Sequence, residues 1–396
     1  MTDVLVIGAG PAGIACAYSL EKAGLSYVVV DQAREIASTW NSLYPSLRLN
    51  TTRFFSHLPE KKFPLHYGIF PTGKQYHRYL VNYVKERQFN IRLGVSVKRL
   101  TPEDGGWRVE TSEGSAWYPA VISATGRFST PIMPRLPGMD DFTGRIMHAH
   151  DYINKAAFAG QRVMVVGNGP SGIDIAVDVA DVAARPVLLS QRTGVVLRPM
   201  YPLGLPKHAW MMIGEALPRF IGEPLVNFIK DIRYPARLLK GIKTPPPGLS
   251  SSAAGGTRGR ALIDAVRAAK VTSVDAPSSF EREAVILTDG TRVEVDTVIM
   301  ATGYRPALFD YVDLSGVPVN AHGWPVRVDE PGDVYWQGGR EVRGAPGLYL
   351  VGVYYQGKGA MYNFNVEAAQ AVAEIQACLE ARLRTRAAAP SLPATS

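Results

Sequence analysis

Cysteine is nearly absent from this chain: Cys16 and Cys378 are the only two in 396 residues. They lie far apart and form no CxxC, so the pattern supplies neither a redox dithiol nor a cysteine-based zinc site. Both read as small buried helix residues, and their scarcity fits a reducing, cytoplasmic setting. No metal site is expected. Long apolar runs are missing as well. None reaches the ~18 residues of a membrane span, and the most apolar region, residues 209–239, is broken by Pro218, Pro224 and several charges. The first strand is expected from about Asp3, which leaves no room for a signal peptide ahead of it. Runs of Lys and Arg are also lacking, so nucleic acid is not an expected partner. The formal charge of +8 and the pI near 9.3 leave a surplus that a phosphate-rich cofactor or an acidic substrate could use. Hydrophobic residues at 46% and charged residues at 20% suit a sizeable core spread over two or three domains.

What the chain does have is glycine in two matching loops. The apolar run Val4–Ile7 leads into Gly8-Ala9-Gly10-Pro11-Ala12-Gly13. A periodic helix over residues 11–23 follows, and a strand over 26–30 ends at Asp31, with Gln32 next. This is a strand–turn–helix–strand unit whose backbone N–H groups can approach a pyrophosphate while the acid takes the ribose hydroxyls. The second loop is Gly167-Asn168-Gly169-Pro170-Ser171-Gly172, between a strand at 163–166 and a helix over 170–182. Its next strand, 186–190, meets no acid. Gln191-Arg192-Thr193 stands there instead, and an arginine can grip the 2′-phosphate that an acid would repel. The second loop therefore suits NADP(H) over NAD(H), the lesser alternative being that Arg192 is a solvated loop arginine. Each unit later returns as a buried strand ending in Ala-Thr-Gly: Ala124-Thr125-Gly126 and Ala301-Thr302-Gly303. The fold class expected is α/β, with two nested Rossmann-type, doubly wound dinucleotide-binding domains. One spans residues 1–155 plus 300–396, and the other, 156–299, is inserted within it.

Other stretches are less regular. Residues 38–80 hold Trp40, Asn50, Phe54, Phe55, Phe63 and the run Pro71–Gln75, and such an aromatic, irregular segment often lines a ligand. A helix is expected over 74–86 and a hairpin at Asp104-Gly105-Gly106. Pro131, Pro134 and Pro137 make an extended connector between domains. Residues 245–259 read as a mobile Pro-, Ser- and Gly-rich loop, and 201–249 as a contributor to the substrate pocket. Met211 and Met212 read as helix core. One buried strand is expected over 293–300, a last core strand at 348–351, and a final helix over 366–384, opened by residues 357–360. The tail from 387 is expected to be disordered.

Phe142, Gly144, His148 and Tyr152 fill the pattern FxGxxxHxxxY between the two loops, and Ile299–Tyr304 supplies an Ala-Thr-Gly-Tyr turn. In these motifs the chain resembles the flavin-containing monooxygenases, class B flavoprotein monooxygenases. Trp40, the run Tyr67–Gln75 and the short length are most similar to the YUCCA branch. Baeyer–Villiger relatives carry Trp where this chain has Tyr152.

The resemblance implies FAD on the first loop and NADPH on the second. Cofactor contacts then fall to Gly8, Gly10, Pro11, Ala12, Gly13, Asp31, Gln32, Trp40, Gln75, Ala124, Thr125, Gly126 and Gly359. On the second loop and the last turn they fall to Gly167, Asn168, Gly169, Pro170, Ser171, Gly172, Arg192, Thr193, Ala301, Thr302, Gly303 and Tyr304. Asn50 and His148 are the catalytic candidates. Asn50 would sit near the isoalloxazine, or else simply form a turn before Thr51-Thr52. His148 would move a proton or, as the favoured role, position the connector. The implied activity is NADPH- and O2-dependent oxygenation of a small-molecule nitrogen or sulfur centre through a C4a-hydroperoxyflavin. Alternatives are a YUCCA-like oxidative decarboxylation of a 2-oxo acid, or Baeyer–Villiger attack on a carbonyl. A flavin-dependent NADPH oxidase or reductase is the more distant reading. The expected partners are the substrate and O2, with a homodimer left open.

Overall fold

Short runs such as Val4–Ile7, Ala120–Ser123 and Thr297–Met300 are buried at every position. That is the condition of a strand covered on both faces of a parallel sheet. In a computed structural model of the chain, residues 2–246, 256–319, 323–328, 339–353 and 358–388 are described. Most of the Pro-, Ser- and Gly-rich loop, Gly357 and the tail beyond Ala388 lie outside them.

The chain divides into two compact units, Met1–Asn41, Arg53–Thr130 and Arg305–Ser396 against Ser42–Thr52 and Pro131–Tyr304. Each is built on a five-stranded parallel sheet. In the first unit the order is Leu348–Leu350, Ala120–Ser123, Val4–Ile7, Tyr27–Asp31, Ile91–Leu93. In the second it is Arg145–His148, Thr297–Met300, Arg162–Val166, Ala184–Ser190, Val271–Val274. The two orders correspond strand for strand: an edge strand, the strand that ends in Ala-Thr-Gly, the strand before the glycine loop, then two more. Each unit adds a three-stranded antiparallel sheet. In the first unit its hairpin turns at Asp104 and Gly105, both at positive φ, as a tight twisted turn requires.

The edge strands differ in origin. Leu348–Leu350 comes from late in the chain, whereas Arg145–His148 comes from just ahead of its glycine loop. This corrects the expected boundary at 155/156, which falls instead at 130/131. Residues 131–155 are not a free connector, because Arg145–His148 pairs along its whole length with Thr297–Met300. Pro137 is held too, its carbonyl accepting from Phe280 N at 2.8 Å. At the far end, residues 300–304 stay with the second unit.

Two element expectations also change. Residues 293–300 form two strands, Arg292–Glu294 and Thr297–Met300, in different sheets. The chain turns between them at Asp296, whose carboxylate binds the Arg162 backbone N at 2.7 Å and the Arg162 guanidinium. The last helix is longer than expected, Ala360–Ala388. Phe63, Tyr76, Tyr79 and Tyr83 are packing residues of the first unit, with Phe63 stacked on Tyr79 at 4.2 Å.

The last helix packs on Pro11–Lys22, the helix that follows the first glycine loop. Beneath it Glu367, buried, accepts from Arg327 at 2.5 Å and from Gly352 N at 2.8 Å. A buried carboxylate so engaged cannot be removed without stranding its donors. Glu367→Ala is expected to cost about 3–5 kcal/mol, read as a shift of the urea midpoint. A change within about 0.5 kcal/mol, the range of an ordinary surface substitution, would contradict this accounting.

Candidate functional site

In each glycine loop the three glycines meet three different constraints. Gly8 has φ +109° and Gly167 φ +125°, conformations that only glycine adopts readily. A Cβ at Gly8 would lie 2.7 Å from the Ala124 carbonyl oxygen, and one at Gly167 would collide with the Ala301 carbonyl. The two Ala-Thr-Gly turns therefore back the two loops. Gly13 and Gly172 come next: a Cβ on either would run into the carbonyl of Gly8 or Gly167. This is the close packing of helix on strand that the third glycine allows.

Gly10 and Gly169 are different. A Cβ on either meets nothing within 4 Å. Both are helix N-caps without a side-chain cap, and each is followed by proline at N1, Pro11 or Pro170. The space in front of each loop is thus open, and it faces the positive end of a helix dipole. This is a cradle for a pyrophosphate, and the residues fit one at both places.

Asp31 and its counterpart set the loops apart. Gly8 N donates to Val30 O and Gly167 N to Ser190 O, so Asp31 in the first unit matches Gln191 in the second, and Gln32 matches Arg192. The Asp31 carboxylate accepts from Ala9 N at 2.6 Å and from Ala33 N at 2.8 Å. Each oxygen keeps a further lone pair for a ribose hydroxyl. Gln191 is fully buried, and neither end of its amide has a hydrogen-bond partner among the described residues. Arg192 beside it is exposed and pairs with nothing among the described residues. Thr193 is half-buried, and Asn168 donates to Gly194 O. A guanidinium without a carboxylate, next to an uncharged amide, fits the 2′-phosphate of NADP(H).

The signature residues are structural members of the second unit. Phe142 is buried edge-to-face on Phe280, with ring centroids 5.4 Å apart. Its ring leaves no space for a side chain at Gly144. His148 is 3% exposed and uses both ring nitrogens. Nδ1 accepts from His150 N at 3.0 Å, which puts the proton on Nε2, where it is donated to Gly303 O at 3.1 Å. Burial holds its pKa below the ordinary 6.5. A neutral, fully bonded imidazole has no free proton site to offer, so His148 positions the Ala301–Tyr304 turn. Tyr304 stands edge-on to its ring at 5.0 Å. Tyr152 donates to Asp178 at 2.6 Å, and Tyr44 to Asp174 at 3.2 Å. Both aspartates lie on Pro170–Val179, the helix after the second loop.

The remaining candidates are spread more widely. Trp40 is half-buried and edge-on to Tyr76 at 4.6 Å. The Gln75 carbonyl is taken up in a capping box, accepting from Thr72 N at 2.8 Å, while its own N–H donates to Thr72 Oγ1. Ala12 lies under Gly352, where a Cβ would come within 2.7 Å. Gly359, at φ +102°, accepts from Asn363 N at the start of the last helix. Thr302 donates to Ile132 O. Thr125 and Gly126 are half-buried, and Gln32 and Ser171 are exposed. Asn50 is exposed in the second unit and bonds nothing among the described residues. Sequence reasoning placed Gln191 where the acid would stand but missed its burial without a partner, and it missed the Tyr44–Asp174 and Tyr152–Asp178 pairs. Only the Asp-x-x-x-Asp spacing on a helix hinted at the pairs.

The family model described as pyridine nucleotide-disulphide oxidoreductase matches residues 5–198. The chain is 30% identical over 375 residues to the indole-3-pyruvate monooxygenase YUCCA1 of Oryza sativa subsp. japonica, covering 89% of this chain and 87% of that protein. Among solved structures it is similar to a flavin-containing monooxygenase from Stenotrophomonas maltophilia, with TM-score 0.69 and 24% identity over 96% of this chain and all of that one. It is also similar to the OTEMO complex with FAD and NADP, with TM-score 0.68 and 17% identity over 96% and 85% of the two chains. With its paired loops, its filled signature and this likeness, the chain belongs to the flavin monooxygenase family and is an oxidoreductase.

Proposed function

We propose that this chain is an FAD-dependent, NADPH- and O2-consuming monooxygenase in which the first unit holds FAD and the inserted second unit holds NADPH. The observation that carries the reading is the duplicated cradle: two glycine loops, each open at its middle glycine, backed by two Ala-Thr-Gly turns, with Asp31 in one and Gln191-Arg192 in the other. The flavin, once reduced by NADPH, supplies the O2 activation, and no protein nucleophile is required.

The protein's own part is to bind and orient. Gly10 and the first turn of its helix face the FAD pyrophosphate, and Asp31 faces its ribose. Gly169 does the same for NADPH, with Arg192 on the 2′-phosphate. His148 keeps its proton on Nε2 and fixes the turn that backs the second loop. Tyr152 and Tyr44 tie the signature strand's continuation and the Asn50 segment to the helix that carries the second loop.

For the substrate, likeness to the indole-3-pyruvate monooxygenases favours oxidative decarboxylation of a 2-oxo acid. One oxygen atom enters the carboxylic acid product, the other leaves as water, and the original carboxylate departs as CO2. Oxygenation of a nitrogen or sulfur centre is the second reading, favoured by Tyr152 in place of the Trp of Baeyer–Villiger relatives. Turnover with NADPH, isotopically labelled O2 and indole-3-pyruvate tests the first: one labelled atom should appear in the acid, with CO2 released. Stoichiometric hydrogen peroxide with every 2-oxo acid, amine and thioether tried would overturn the monooxygenase reading.

Loop assignment has its own test. Gly10→Ala should lower FAD content of the purified protein, whereas Gly169→Ala should keep FAD and slow its reduction by NADPH about tenfold or more, since each methyl fills a cradle. The reverse pattern would swap the loops. Arg192→Ala should raise KM for NADPH about tenfold or more through loss of a charge-assisted contact; an equal rise for NADH would refute the 2′-phosphate role.

His148 gives a pH dependence. In the unfolded chain it takes a proton near pH 6.5, and in the native protein only at lower pH. Its contribution to stability is therefore complete above 6.5 and is lost as pH falls toward the native pKa. The fall of Tm below pH 6.5 should be shallower in His148→Gln than in the parent, and parallel curves would show that the histidine does not titrate as described.

A further inference from the structure

The two helices Lys207–Ala216 and Arg219–Asp231 form a hairpin in the second unit whose inner side is already complete. They cross at Gly214 and Gly222, so close that a Cβ on either would collide with the other helix. Met211, Val226 and Ile229 are buried on that inner side. The outer side is apolar as well, contrary to the expectation that both methionines are core. Met212 is 54% exposed, Phe220 79% and Phe228 61%, and Ile213, Leu217 and Ile221 are exposed with them. Large apolar side chains left in water at this density mark a contact surface.

Charge selects the partner. Residues 196–246 carry eight Lys and Arg against three Asp and Glu, so this short segment holds most of the chain's formal surplus of +8. Arg233, Arg237 and Lys240, just past the second helix, are exposed and pair with nothing among the described residues. A second copy of the chain would bring the same positive charge to the contact and be repelled. A fluid anionic surface would satisfy both features, taking the apolar side chains between its headgroups and the cations against its phosphates.

We propose that this hairpin is an interfacial anchor for an anionic phospholipid bilayer. It lies flat on the surface, with Phe220, Ile221 and Phe228 immersed and Arg233, Arg237 and Lys240 against lipid phosphates. It does not span: among the described residues no helix is long and apolar enough to cross a membrane. The inference is independent of the reaction, because it rests on surface chemistry alone.

Flotation of the purified full chain with vesicles tests it. The protein should bind vesicles of phosphatidylcholine doped with phosphatidylglycerol, fail to bind phosphatidylcholine alone, and lose affinity as salt is raised. The double variant Phe220→Ser, Phe228→Ser should bind at least about tenfold more weakly. The triple variant Arg233→Glu, Arg237→Glu, Lys240→Glu should lose the preference for anionic lipid. All five positions are exposed, so an unchanged circular dichroism spectrum and Tm separate lost anchoring from lost folding. Absence of binding to the anionic vesicles, or binding that the serine variant leaves unchanged, would overturn the proposal. Sedimentation velocity adds the competing occupant. A dimer that the serine variant dissociates would assign the face to a second copy instead.

Discussion

The structure depends on the absence of four Cβ atoms. At Gly8, Gly13, Gly167 and Gly172 the backbone of a loop comes so close to a neighbouring carbonyl that a methyl group could not fit. Those contacts bring each helix start up against the strand before it and the Ala-Thr-Gly turn beside it. They also leave Gly10 and Gly169 facing open space. One steric condition, met twice, thus builds from unrelated surrounding sequence two open loops whose residues fit extended anions.

The signature between the loops acquires a mechanical explanation. Each of its four residues holds a different part of the second unit. Phe142 packs on the antiparallel sheet, and Gly144 leaves room for its ring. His148 fixes the turn behind the loop, and Tyr152 reaches the helix in front of it. Their joint effect is to set the loop between two anchored walls, which is the kind of preorganisation a bound cofactor requires. Tyr44 extends the same attachment to the segment that carries Asn50.

Much of this was legible in the sequence because the determinants are local. Glycine spacing, buried four-residue runs and the repeated Ala-Thr-Gly gave both loops, their helices and their backing strands. What escaped was non-local. That Arg145–His148 is an edge strand depends on its pairing with residues about 150 positions later, and nothing in Arg-Ile-Met-His announces it. Gln191 looked like a mere substitution for an acid until the register placed it opposite Asp31. Its significance comes from being buried without a partner, which composition does not reveal. Phe63 shows the opposite case: it lies in a stretch with the composition of a ligand wall, yet it is itself buried and stacked on Tyr79. Gln75 was marked for the cofactor, yet its carbonyl is committed to a helix cap.

The different origins of the two edge strands have a consequence for how the chain matures on the ribosome. The second unit's sheet is closed by Arg145–His148, made before the rest of that sheet, so every strand it needs has been synthesised by Met300. The first unit's sheet waits for Leu348–Leu350, and its first helix waits for Glu367 and the last helix. The unit whose synthesis starts first is therefore the last to close. During that interval it holds a nascent glycine loop with one side unfinished, a stage at which early capture of its dinucleotide could speed maturation and at which a stalled chain would be exposed to proteolysis.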